Sequence, residues 1–125
     1  MKLSVRQLEA LFNCVIWALA QAGVFAAKLT GIADATDLET TAHNEGCGQV
    51  TRRRRITDTR GNVHDIEVTA YGWKLMILID ARTKIPLAAQ VVPMHEHETL
   101  SLRALVTQAC TNLDGHARLH TVVFR

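Results

Sequence analysis

The run from Trp73 to Asp80, WKLMILID, constrains this chain more than any other stretch. An apolar segment of that length, bounded by a turn signal, reads as a central strand buried within a sheet, and a central strand needs partners. The turn DARTK follows, begun by Asp80, and IPLAAQVVP returns as the antiparallel partner. Pro86 lies near the start of that returning strand and Pro93 closes it, where a missing backbone donor does least harm. Upstream, VTRRRRITDTRGNVHDIEVTAYGW resembles a hairpin that turns at DTRGN, with Asp58, Gly61 and Asn62 supplying the turn chemistry.

Two helices frame these strands. Ser4 is placed to cap a helix from about Val5 to Gln21 that ends near Gly23. Arg6, Gln7, Glu9, Asn13 and Gln21 fall on its polar side; Leu8, Leu11, Phe12, Val15, Ile16, Leu19 and Ala22 fall on the other. That polar face favours a helix packed on protein over a membrane span, with a cleaved secretory leader as the lesser alternative given the flanking Lys2 and Arg6. A second amphipathic helix is predicted from about Glu98 to Leu113, with Leu102, Leu105, Val106 and Ala109 on one face. A strand from Leu29 to about Leu38 follows the first helix, TTAHNEGCGQV reads as a loop, and RLHTVVFR reads as a last, buried strand. The expected architecture is a mixed sheet with helices packed on it, in the α/β (α+β) class.

The chain has 125 residues, one domain's worth, with 48% hydrophobic and 21% charged residues, enough apolar surface for a core. A net charge of +2 does not by itself point to nucleic acid, although TRRRR concentrates positive charge in one place. Cys14, Cys47 and Cys110 are odd in number and widely spaced, so no disulfide framework is implied and a reducing, cytoplasmic compartment is expected.

Residues 31–41, GIADATDLETT, set an aspartate inside the first strand. Asp is disfavoured in strands, and a buried carboxylate is costly unless it is paired or binds a metal, so Asp34 is either a turn residue or a ligand. Asp37 lies an odd number of residues away and faces the opposite side of a strand, which removes it as a co-ligand. Asp80 reads as a turn former. Arg52, Arg53, Arg54 and Arg55 either contact phosphates or form a solvated hairpin face, with alternate arginines pointing opposite ways. Tyr71 and Trp73, on either side of Gly72, read as packing on the sheet. His95 to Glu98, HEHE, together with His43, Cys47 and His64, offers zinc-ligand residue types without the short paired spacings of zinc sites. Nucleophile elbow, P-loop and dinucleotide-binding motifs are missing.

As a connected series, GIADATDLETT, EGCGQVTRRRR, VTAYGWKLMILIDARTKIPLAAQVV, ALVTQACTNL and HARLHTVVF resemble the first half of a DDE-type transposase domain of bacterial insertion sequences, from about Leu8 to Phe124. The resemblance implies a partial ribonuclease H-like sheet over residues 29–125, preceded by an N-terminal helical segment over residues 1–28. It implies that Asp34, followed by Ala35 and Thr36, is a catalytic carboxylate and the first metal ligand, with Mg²⁺ as the expected cofactor and DNA as the partner. The implied activity is DNA cleavage and strand transfer in transposition, a form of DNA recombination. The resemblance also tips the reading of Arg52 to Arg55 towards phosphate contact.

The same family carries a second Asp just after the VVF run, followed by Gly-Phe, and a Glu on a later helix. Arg125 stands after VVF here, so the expectation is a truncated or frameshifted fragment, inactive as this chain alone. The alternative is a non-enzymatic nucleic-acid-binding module that uses Arg52 to Arg55; a third reading is a small metal-binding protein that uses His and Cys. A last strand with no neighbour beyond it leaves an apolar edge, which predicts self-association and marginal stability.

Overall fold

A computed structural model of the chain describes residues 4–40 and 47–125. The element order is α1 (Val5–Gln21), β1 (Lys28–Thr40), β2 (Gly48–Thr57), β3 (Val63–Asp80), β4 (Pro86–Pro93), α2 (Glu98–Leu113) and β5 (Arg118–Phe124). It is a mixed α+β arrangement of two helices on a five-stranded mixed sheet. Of the loop predicted over residues 40–50, residues 41–46, including His43, lie outside the described residues, while Thr40 closes β1 and Gly48, Gln49 and Val50 already belong to β2, where they pair with β3.

Both helices begin and end where local chemistry dictates. At the start of α1, Ser4 Oγ accepts from the Gln7 backbone N–H at 3.2 Å, and Gln7 Oε1 accepts from the Ser4 N–H at 2.8 Å, a reciprocal capping box. Its end is closed by Gly23 at φ 77°, followed by a bond from the Val24 N–H to the Leu19 carbonyl. His97 caps α2 by accepting from the Thr99 N–H at 3.3 Å, and Asp114 ends that helix in the left-handed region.

The sheet is organised around β3, and here the structure corrects the sequence reading. The hairpin's second run and the apolar run are one continuous strand of 18 residues rather than two elements. Its second half is flanked by β1 on one side (Gly31↔Asp80 to Thr40↔Tyr71) and by β4 on the other (Trp73↔Pro93 to Ile79↔Pro86), both antiparallel. Its first half pairs with β2 (Gly48↔Gly72 to Thr57↔Val63). The β2–β3 pair therefore runs on past the end of β4 as a two-stranded arm. Strand β5 adds to the free side of β1 in parallel, reached through α2 as a parallel neighbour requires.

Alternation along the strands sorts the two faces of the sheet. Leu29 and Ala33 of β1, Met76 and Leu78 of β3, and Leu87 and Ala88 of β4 are buried against Leu105, Ala109 and Leu113 of α2 and Ile16 and Ala20 of α1. The opposite face carries Ile32, Asp34, Leu75, Ile77 and Ile79, all only partly buried. The apolar stripe of α1 is covered only in part, since Leu8, Leu11 and Val15 remain exposed. Asn13, read from the sequence as part of the solvent face of α1, instead turns into the contact with α2 and accepts from Gln108 and Asn112. Among the described residues no helix is long and apolar enough to cross a membrane.

Candidate metal and nucleic-acid site

Asp34 sits in the middle of β1, directly opposite Ile77 of β3. Because Ala33 points into the core, Asp34 points to the face that α2 does not cover, half-buried among Ile32, Thr36 and Ile77. Its Oδ1 accepts from the following Ala35 N–H at 2.8 Å. The turn reading of Asp34 is therefore replaced by a mid-strand position.

The neighbour of Asp34 on its other side is set by the parallel β1–β5 register. Ala33 pairs with Phe124, and the Arg125 N–H donates to the Ala33 carbonyl at 2.9 Å. Position 125 thus stands beside Asp34 on the adjacent strand. Asp37 faces the other side of β1, as its odd spacing requires, and is engaged by Arg52.

Tertiary structure divides the four arginines. Arg52 and Arg54 share the face that carries the core, and Arg53 and Arg55 share the face of Asp34. Arg52 is clamped between Asp37 and Glu39 of β1, with a separation of 2.8 Å to Glu39. Arg55 pairs with Asp65 at 3.6 Å, and Arg53 stands opposite Glu67 in the register. Arg54 stands opposite Ile66 and has no ion pair among the described residues. It borders a polar groove of about 310 Å³, which Arg52, Glu39, Thr69 and Tyr71 also line. Counted along β3, the partner of Arg53 (Glu67) lies ten residues from the partner of Asp34 (Ile77), about 33 Å of strand. Asp34 and the arginine arm do not converge on one pocket.

The remaining candidates have structural duties. Asp80 is buried and accepts from the Arg82 and Thr83 N–H groups at 3.3 Å and from the Thr83 hydroxyl at 2.6 Å, the turn-former role expected of it. In the HEHE segment, His97 caps α2 and Glu96 accepts from the Ser101 hydroxyl at 3.1 Å. His64 bonds to Asp58 at 3.0 Å in the hairpin turn. That bond, with the N–H groups of Asn62 and Arg60, holds the Asp58 carboxyl below its ordinary value of 3.8.

Sequence reasoning missed Lys74. It is buried on the core face, and its ammonium donates to the Glu96 carbonyl at 2.9 Å, tying β3 to the segment before α2. The signal was available in its parity: Lys74 alternates in phase with Met76 and Leu78.

No group of three His, Cys, Asp or Glu side chains able to hold a metal ion exists among the described residues. A divalent oxygen-liganded ion needs several such donors. The described residues supply Asp34 alone at this position, fewer oxygen donors than such an ion takes. Comparisons of the chain with protein-family models, with curated proteins and with solved structures each return no match.

Proposed function

We propose that this chain is the N-terminal part of a DDE-type transposase domain with a ribonuclease H-like sheet, in which Asp34 is the first carboxylate of a metal-dependent DNA cleavage and strand-transfer site. One observation carries the reading: the strand that follows α2 runs parallel to β1 and ends beside Asp34. That is where the second aspartate implied by the sequence resemblance would meet the first. Asp34 also lies on the sheet face opposite the one that packs on α2, where a nucleic acid could reach it. The described residues offer one carboxylate at this position, so the expected outcome with DNA and Mg²⁺ is no cleavage.

Manganese broadening of amide resonances tests this reading, because a paramagnetic ion reports even weak occupancy. Broadening centred on Ala33 to Ala35 and on Phe124 and Arg125, and lost in Asp34→Asn, is the expected result. Broadening spread over the surface carboxylates with no focus at Asp34 would refute it.

The second reading is a nucleic-acid-binding module without catalysis, favoured by Arg54, which has no ion pair beside its groove. It predicts salt-dependent DNA binding that survives Asp34→Asn.

A further inference from the structure

Helix α1 carries more apolar surface than its own fold uses. The residues it buries, Ile16 and Ala20, lie on one side. Leu8, Leu11 and Val15, on another, are 51%, 57% and 50% exposed. With the exposed Ala18, and Ala22 at the C-cap, they recur at alternating steps of three and four residues. Residues so spaced form one continuous row along a helix, the row through which paired helices meet. Val91 of β4, itself 53% exposed, borders the same groove as Leu8, so the apolar surface continues onto the sheet edge.

The order of sizes along the row decides what fits it. Large side chains, Leu8 and Leu11, fill its first half; Val15, Ala18 and Ala22 make the second half progressively smaller. A second α1 laid alongside in the same direction would set leucine against leucine at one end and alanine against alanine at the other, so the helices would splay. Turned end for end, with Leu11 opposite Val15 of the second copy, Leu8 falls opposite Ala18 and every layer pairs a larger residue with a smaller one. Constant layer width is what close helix packing requires. The row is complementary to its own reverse.

Charge favours the same arrangement. Arg6 and Glu9 are the only charged residues of α1. In a parallel pair each would stand level with its like; turned end for end, the two Arg6 residues are about 21 Å apart along the axis and the helix dipoles oppose. One cation and one anion also give the helix no net attraction to an anionic lipid surface.

We propose that α1 is a self-association surface, on which α1 of a second copy of this chain packs antiparallel through Leu8, Leu11, Val15 and Ala18. A single helix pair of this length buries less than the roughly 1,200 Å² of a standard interface, so the dimer is a transient one. It depends on neither Asp34 nor DNA, and it is distinct from contact through the edge of β5.

Cross-linking of the whole chain, with Cys47→Ser and Cys110→Ser so that Cys14 is the one thiol, tests the arrangement. Cys14 is exposed beside the row, close to the centre of the antiparallel pair. Its two copies lie about 3 Å apart along the axis on helices 8–10 Å apart, within reach of a bismaleimide with an ethylene spacer. A covalent dimer is the expected product. Leu11→Glu, at an exposed position, should leave the helical circular dichroism intact and cut the dimer yield about tenfold or more, because symmetry removes the apolar contact twice. Val123→Lys, which alters the edge of β5, should leave the yield unchanged. Moving the thiol to residue 21 (Cys14→Ser with Gln21→Cys) should abolish the link, since antiparallel helices hold those positions about 24 Å apart along the axis. No dimer through Cys14, a yield that Leu11→Glu does not lower, or an equal yield from residue 21 would each overturn the proposal.

Discussion

Asp34 of β1 and Arg125, the residue after β5, stand side by side where the parallel β1–β5 register ends at Ala33↔Phe124, with the Arg125 N–H bonded to the Ala33 carbonyl at 2.9 Å. Ala33 is fully buried, so Asp34 is directed to the opposite, open face by strand alternation alone. The carboxylate is held by the sheet and is not itself what holds the sheet together. Asp34→Asn keeps an oxygen for the Ala35 N–H, so stability should change by less than about 0.5 kcal/mol in denaturant unfolding. Focused manganese broadening should vanish in the same variant. Plasmid DNA incubated with the chain and Mg²⁺ should stay intact; nicking abolished by Asp34→Asn would mean that the site is more complete than its donors indicate.

The arginines should separate by their partners. Arg54→Ala removes the cation that has no carboxylate against it, and should lower the slope of log K against log salt for duplex DNA by about 0.9. Arg52 is already clamped by Asp37 and Glu39, so Arg52→Ala should leave that slope nearly unchanged while loosening the arm from β1, at a cost of about 1 kcal/mol or less. Equal slopes for the two variants in fluorescence anisotropy would show that the ion pairs do not decide which arginine meets phosphate.

Gly72 is where β3 passes from the packed sheet to the arm, and it adopts φ 155°. A Cβ there would overlap the Leu38 carbonyl oxygen, which is backbone and cannot move aside as a side chain could. Gly72→Ala should therefore cost about 3 kcal/mol or more. Gly61, at φ 82° with open space around it, isolates the conformational part of that cost, and Gly61→Ala should lose only about 1–2 kcal/mol. Urea titrations of the two variants check the ordering.

The hairpin turn has its own pH dependence. The hydrogen bond to His64, followed by those from backbone N–H groups, keeps the Asp58 carboxyl below 3.8. A folded-state value below the unfolded one stabilises the turn above the unfolded value, and this contribution is lost as pH falls through the folded one. A ¹³C titration of the Asp58 carboxyl should give a midpoint below 3.8, accompanied by chemical-shift changes at Asn62 and Arg60. A midpoint at or above 3.8 would contradict the bonding.

The outer edge of β5 has no partner strand among the described residues, and Val123 is exposed beside it. Unpaired apolar edges associate, so sedimentation velocity should show concentration-dependent self-association that Val123→Lys suppresses. A monomer at every concentration would argue against this edge as a contact.

Much of this structure was legible in the chain because it depends on neighbours in sequence. Capping by Ser4, the extents of both helices, the turns at Asp58 and Asp80 and the strand character of WKLMILID follow from propensity, capping and periodicity, which act over a few residues. The parity that points Asp34 away from Asp37 belongs to the same class. Tertiary structure decided what depends on who lies alongside: that β3 runs unbroken through Gly72 and serves β2 with one half and β1 and β4 with the other; that Arg52 meets Asp37 and Glu39 while Arg54 meets Ile66; that Lys74 is buried; and that Asn13 leaves the solvent face of α1 to orient Gln108. Each of these is a contact between residues far apart in the chain, where register and packing set the outcome, and local propensity carries no information about register.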